Sequence, residues 1–189
     1  MKPGNFFFLK DSYFEKFSDE QDILRNKESG TCRPYFYAFD DKNNPNIFWA
    51  IPASTQYEKF SKIYAHKKEK YGRCDTIVFG KLLGKKNAFL IQNMCPVTKE
   101  YVSSEYLLNG NLVNVHPKVE EILIRKARAV IAKHNHGLKL IFPNIDKMCE
   151  ELSTNPIEQF CQNWVNSQTD NNLNMESDNT IAEEEEQGW

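Results

Sequence analysis

The residues best suited to chemistry lie where a predicted strand runs into a predicted helix. Ser54 and Thr55 place two hydroxyls at the start of that helix, where unpaired backbone amides and the helix dipole favour an anion. Lys59, Lys62 and His66 follow Thr55 at spacings of four, three and four, so all of them share one strip of the helix. The pattern predicts a phosphate-binding surface on a rigid helix.

The same helix is strongly cationic beyond this strip. Between Lys59 and Arg73 there are six lysines and arginines and one acid, Glu69. The further cations of this segment are Lys67, Lys68, Lys70 and Arg73. In the alternative interpretation Thr55 only caps the helix, with Glu58 completing a capping box, and the charged face is only solvated.

Aromatic residues interleave with the cations along the chain. Alternation of rings and positive charges is typical of proteins that bind single-stranded RNA. Alternatively, most of these rings belong to the core. The aromatic residues near basic ones in sequence are Tyr13, Tyr35, Tyr37, Trp49, Tyr57 and Tyr64.

Length and charge predict one domain with an acidic tail. The chain has 189 residues and a net charge of −2, which suits a domain of ordinary size. The last 25 residues carry seven acids and no lysine or arginine, so the rest carries +5. We therefore expect a folded domain over 1–165 and a disordered tail over 166–189, and the basic domain permits a nucleic-acid partner.

Cysteine usage and hydropathy indicate a cytoplasmic protein. The five cysteines form no CxxC pair, and the start of the chain has no secretory signal, which favours a reducing compartment. No apolar run approaches the roughly 18 residues of a membrane-spanning helix. His134-x-His136 is more typical of a cationic helix C-terminus than of a metal site, so no metal or other cofactor is expected.

The elements alternate between short aromatic strands and amphipathic helices, which predicts an α+β fold. Asn109-Gly110 is a strong hairpin turn, and His116-Pro117 opens the clearest helix. The predicted strands are 6–9, 33–39, 47–51, 75–80, 87–92, 101–108, 112–115 and 138–142. The predicted helices start at Asp11, Thr55, Pro117 and Asn144, and another short helix is predicted over 156–165.

Taken in order, these segments resemble the ToxN/AbiQ family of type III toxin–antitoxin systems, particularly its CptN and TenpN branches. The resemblance spans about residues 6–150 and rests on the order and separation of several segments. They are the N-terminal aromatic strand and its tyrosine-bearing helix, Arg33-Pro34-Tyr35, Ile51-Pro52-Ala53-Ser54-Thr55 with Glu58-Lys59-Phe60, and Asn93-Met94-Cys95-Pro96-Val97.

The resemblance implies a metal-independent endoribonuclease toxin that acts in phage defence by abortive infection. Its implied fold is similar to the Kid/MazF toxins: a strongly twisted, mostly antiparallel sheet forming a partial barrel with flanking helices. Its implied partner is a small repetitive RNA antitoxin, folded as a pseudoknot, in a higher-order protein–RNA assembly. Cellular or phage RNA would be cut to leave a 2′,3′-cyclic phosphate.

The resemblance implies functional roles for individual residues. Ser54 and Thr55 match the family's hydroxyl pair, Lys59 its active-site lysine, and Arg33 a basic residue. Tyr13 matches a helix tyrosine near the RNA groove, and Asn93 matches an asparagine of the segment that contains it. We expect Ser54, Thr55, Lys59 and Arg33 to be catalytic and Tyr13, Tyr35, Lys62, His66, Lys67, Lys68, Lys70, Arg73 and Asn93 to bind RNA.

Cleavage would be transesterification, in which the ribose 2′-OH attacks the adjacent phosphorus and the 5′-oxygen leaves. Lys59 and Arg33 would neutralise the phosphorane, and the hydroxyls and helix amides would donate to it. The general base stays open between Lys59, a tyrosine and His66. Two other classes stay open as well: a non-catalytic RNA-binding protein, and a protein-interaction module that uses the acidic tail.

Overall fold

The computed structural model describes residues 1–26 and 30–153, and their fold is α+β. The predicted helix 156–165, the tail 166–189 and the domain boundary at 165 all lie outside the described residues. The strands are β1 (Phe6–Leu9), β2 (Pro34–Asp40), β3 (Ile47–Ser54), β4 (Ile77–Leu82), β5 (Lys85–Leu90), β6 (Cys95–Thr98), β7 (Val102–Glu105), β8 (Leu107–Leu108) and β9 (Asn111–Leu112). The helices are α1 (Asp11–Lys16), α2 (Tyr57–Tyr71), α3 (Pro117–Asn135) and α4 (Ile145–Ser153).

Among the described residues, seven strands form one sheet in which neighbouring strands pair antiparallel. Its order is β4-β5-β3-β2-β1-β7, and β6 pairs with β3. β3 therefore has two neighbours on one side: β6 lies beside Ile47–Ala50 and β5 lies beside Ala53 and Ser54. Within the part of the chain that the structure describes, β4 and β7 end the order without pairing with each other, so the sheet is not closed into a barrel.

Helices pack on both faces of the sheet. A single strand contributes to both faces because its neighbouring side chains point to opposite sides. Phe6 packs with Phe36, Phe89 and residues of α3, including Leu123. Phe7, the next residue, packs into a second cluster with residues of α1 and α4. Alternation in this short phenylalanine-rich strand thus brings one sheet into contact with helices on both faces.

Gly80 of β4 permits the close approach of α3 to the sheet. A Cβ at this position would lie 2.9 Å from Val119 Cγ1 and 3.0 Å from Phe89 Cε2, both inside normal contact distance. Only glycine leaves room for both side chains there. The β8–β9 hairpin turns at Asn109 and Gly110 with φ of 52° and 79°, as its sequence predicted.

Several predicted boundaries are wrong for identifiable reasons. β3 continues through Pro52 to Ser54 rather than stopping at the proline, because the strand's pairing with β2 and then β5 continues past it. Residues 138–142 form no strand; Phe142 instead donates one backbone bond, of 2.8 Å, to Gln92. At α4 the prediction is confirmed, since the Asn144 side chain accepts from the amide of Lys147 at 3.3 Å.

Candidate nucleic-acid interface

The junction between β3 and α2 carries the two predicted hydroxyls. Ser54 is buried, and its Oγ accepts a hydrogen bond from the Gln56 amide at 3.3 Å. Thr55 is exposed. The helix begins at Tyr57 with Gln56 as N-cap, and no side chain caps it. The predicted Thr55–Glu58 capping box is therefore wrong, because the helix starts too late for Thr55 to be its cap.

Strand pairing brings Arg33 to this junction. β2 and β3 pair with Tyr35 opposite Pro52, so the residues just before β2 run beside the end of β3. Arg33 Nη1 donates to the Ala53 carbonyl at 2.9 Å, and its Nε donates to the Arg25 carbonyl at 3.3 Å.

The Arg33 guanidinium carries a positive charge that no described carboxylate pairs with. Burial lowers its pKa from the ordinary value, because a half-buried cation loses hydration. Arginine nevertheless stays protonated in proteins. The charge, fixed in place by two carbonyls, is suited to binding a phosphate oxygen.

The exposed face of α2 is the one that the sequence predicted. Lys59, Lys62 and His66 all face solvent. On the opposite side Phe60 is buried, and Tyr57 and Tyr64 pack on Phe79 of β4 with ring centroids 4.9 and 5.3 Å away. Tyr71, the last residue of the helix, is exposed.

Lys86 is a candidate site residue that sequence reasoning missed. Its Nζ lies 5.0 Å from the centroid of the Tyr57 ring, at the first turn of α2. The β3–β5 pairing sets Ala88 opposite Ser54, so Lys86 lies beside the junction between β3 and α2. Lys81, Lys85 and Lys86 lie close together in the sequence, but only the strand register shows which element they reach.

Tyr13, Tyr35 and Asn93, which were predicted to bind RNA, are packed inside the protein rather than exposed on its surface. Tyr13 and Tyr35 are fully buried, and their hydroxyls donate to the carbonyls of Pro96 at 2.7 Å and Leu24 at 2.5 Å. Burial raises the pKa of both phenols. Asn93 is buried and donates to the Asp22 carbonyl at 3.0 Å. Tyr13 thus links α1 to β6, while Tyr35 and Asn93 hold the segment at Asp22 and Leu24.

Tyr13→Phe is expected to lower the free energy of unfolding by about 1–3 kcal/mol, because the buried Pro96 carbonyl loses its hydroxyl donor. RNA affinity of the folded variant should stay at the wild-type value. Urea unfolding and RNA titration measure the two effects, and Tyr71→Phe, with an exposed ring, is the control for stability. Unchanged stability together with weakened RNA binding would instead mean that Tyr13 belongs to the RNA-binding surface.

The remaining predicted cations divide between two places. Lys68 and Lys70 are exposed. Lys67 turns away from the strip, and its Nζ donates to Thr76 Oγ1 at 2.9 Å and Gln92 Oε1 at 2.7 Å. Arg73 Nε lies 3.4 Å from an Asp75 carboxylate oxygen. Lys67 and Arg73 thus line a pocket at the far end of α2, separate from the Ser54 junction.

Cys95, Cys149 and His134 serve the fold. Burial raises the pKa of Cys95 and Cys149 to about 12, so both thiols stay protonated at neutral pH. His134 Nε2 lies 3.0 Å from the Asp146 carboxylate. Across 1–26 and 30–153, no three His, Cys, Asp or Glu side chains come together as a metal site would require.

Fold and surface together define an α+β protein that carries an exposed row of cations beside a fixed guanidinium at the end of a sheet strand. Comparison with models of known protein families gives no match. Comparison with curated proteins gives none either. No helix among the described residues is both long enough and apolar enough to cross a membrane.

Proposed function

We propose that the chain is the endoribonuclease toxin of a type III toxin–antitoxin system and cuts single-stranded RNA without a metal. The observation that carries the proposal is the placement of Arg33, whose guanidinium is held on the Ala53 carbonyl next to Ser54. Lys59 stands exposed in the first turn of the helix that follows. The resemblance of residues 6–150 to the ToxN/AbiQ family supplies the class of enzyme.

The proposed reaction needs positive charge at a phosphate more than it needs paired carboxylates. The 2′-oxygen forms a bond to phosphorus while the bond to the 5′-oxygen breaks, giving a 2′,3′-cyclic phosphate and a 5′-hydroxyl. Lys59 and Arg33 stabilise the extra negative charge of the phosphorane, with Thr55 as a hydroxyl donor. Of the sequence candidates for proton transfer, Lys59 and His66 are exposed while Tyr13 and Tyr35 are buried.

The finer parts of the proposal concern architecture, partner and location. The split edge of β3, paired with both β5 and β6, supports a twisted, partly rolled sheet of the Kid/MazF kind. The proposed inhibitor is a small repetitive pseudoknot RNA that covers the cationic face of α2, forming a higher-order assembly. The proposed place of action is the cytoplasm, on cellular or phage RNA.

Controlled expression in a bacterial host, followed by mapping of RNA 5′ ends, tests the proposal. We expect growth arrest and new 5′-hydroxyl ends at a recurring short sequence. The Arg33→Ala/Lys59→Ala double variant should produce neither, because both proposed cations are gone. Lys42→Ala, which removes an exposed lysine in the β2–β3 turn, is the matched control and should behave as wild type.

Two results would contradict the proposal in different ways. New RNA ends that persist in the double variant would mean that the cleavage comes from another site or another protein. If no ends appear although the purified chain binds RNA in a salt-dependent manner, the chain is a non-catalytic RNA-binding protein. A chain that leaves RNA intact and shows no salt-dependent affinity for it is a protein-interaction module.

A further inference from the structure

A pocket of about 530 Å³ lies at the C-terminal end of α2, away from the Ser54 junction. Its walls come from the end of α2, the residues that lead into β4, the last turn of α3 and the segment 138–142. The volume falls within the roughly 300–1,000 Å³ that is typical of small-molecule sites. Nothing in the proposed cleavage chemistry uses this pocket.

The pocket walls carry an excess of positive charge. Four cationic side chains line it, and Asp75 is the carboxylate among its lining residues. Asp75 Oδ2 is shared by Lys133 at 2.6 Å and Arg73 at 3.4 Å, and these cations lower its pKa. The four cations are Lys67, Arg73, Lys133 and Lys139.

Lys67 is the best-fixed of these cations. Its Nζ donates to the side chains of Thr76 and Gln92, both of which are buried. Both acceptors are neutral, and within the described residues no carboxylate pairs with this ammonium. A half-buried ammonium group whose recognised partners are neutral is suited to an anionic ligand.

The pocket also exposes large apolar side chains that a folded protein would usually bury. Tyr71 is 63% exposed, Leu138 is 53% exposed and Phe142 is 51% exposed, and all three line the pocket. Lys67 Nζ lies 5.7 Å from the Phe142 ring centroid, and Lys70 Nζ lies 5.1 Å from the Tyr71 centroid. Rings interleaved with ammonium groups bind nucleobases by stacking while the cations bind the phosphate.

We infer that this pocket binds a nucleotide, with the phosphate at Lys67, Lys133 and Lys139 and the base against Phe142 or Tyr71. The ligand that these groups fit is an aromatic base that bears a phosphate. It is either a free nucleotide or one nucleotide of an RNA strand. The inference stands on the geometry of the pocket itself and holds whether or not the chain cleaves RNA.

Isothermal titration calorimetry on the full chain tests the inference with four probes: AMP, inorganic phosphate, adenosine, and a 2′-O-methyl oligoadenylate of eight units. The 2′-O-methyl group blocks transesterification, so cleavage cannot affect the result. We expect AMP to bind at least about 10-fold more tightly than phosphate or adenosine, because it uses both the cations and the rings.

Two variants probe the two halves of the pocket. Lys139→Glu reverses an exposed charge, and Phe142→Ala removes an exposed ring; neither change should disturb the core. Each should weaken AMP binding about 10-fold or more. The matched controls are Lys118→Glu, in the first turn of α3, and Leu108→Ala, on β8, and both should bind AMP as wild type does.

The two sources of the nucleotide give different results. If the oligoadenylate binds no more tightly than AMP, the ligand is a free nucleotide. If it binds at least about 10-fold more tightly and loses affinity in both variants, the pocket holds one nucleotide of an RNA strand. The inference is overturned if neither AMP nor the oligoadenylate binds. It is also overturned if both of these probes bind the two variants as tightly as they bind the wild type.

Discussion

Lys59→Ala is expected to lower the rate of RNA cleavage by the purified protein about 10²–10³-fold while leaving stability unchanged. The large effect on rate follows if the ammonium stabilises charge that develops only in the transition state. The small effect on stability follows from the exposure of Lys59, whose Nζ lies 5.7 Å from the centroid of the Phe60 ring. Such exposed contacts contribute little to folding.

Single-turnover cleavage of a labelled RNA at saturating enzyme measures this rate without a contribution from product release. Lys59→Arg keeps the positive charge and should retain more activity than Lys59→Ala, although its planar guanidinium differs in shape from an ammonium. Lys42→Ala controls for the loss of one exposed lysine. A Lys59→Ala protein that cuts RNA within a few-fold of wild type would remove this residue from the active site.

Phe89→Ala is expected to lower the free energy of unfolding by about 3–5 kcal/mol. Phe89 lies on β5, is fully buried, and packs with its ring centroid 5.9 Å from that of Phe6. Its ring also fills the space beside Gly80 under α3. The loss is a large share of the roughly 5–15 kcal/mol that stabilises a typical domain, so the variant should be partly unfolded at moderate temperature.

Urea unfolding followed by circular dichroism gives this free energy. If its dependence on urea concentration is the same in the variant and the wild type, the two-state comparison holds. Phe142→Ala removes the same ring from an exposed position and should change stability by no more than about 0.5 kcal/mol. If Phe89→Ala were as mild as Phe142→Ala, the described packing between β5 and α3 would be wrong.

Features that depend on neighbouring residues could be predicted from the sequence. Helical spacing placed Lys59, Lys62 and His66 on one strip of α2, and all three are exposed there. Asn109-Gly110 forms the expected turn, and His116 accepts from the Lys118 amide at 3.2 Å where α3 starts. Backbone geometry and local hydrogen bonding decide such features within one or two turns of chain.

The fate of the aromatic residues could not be predicted in this way. A tyrosine beside cations in sequence suits an RNA surface or a core equally well. Tyr13 is buried against the rings of Phe17 and Tyr101, and its hydroxyl donates to the Pro96 carbonyl, 83 residues away. Lys67, expected on the RNA-binding face, turns inward because buried Thr76 and Gln92 offer it acceptors.

The sequence by itself determined which residues lie on the exposed face of α2, where its elements turn, and that hydroxyls and cations stand at a strand–helix junction. Only the tertiary structure decided that Arg33 and Lys86 join that junction, through the pairing of β3 with β2 and β5. Periodicity specifies which side of an element is apolar, because it follows from the geometry of one segment. The partner that covers that side depends on pairing between distant segments, for which local spacing carries no information.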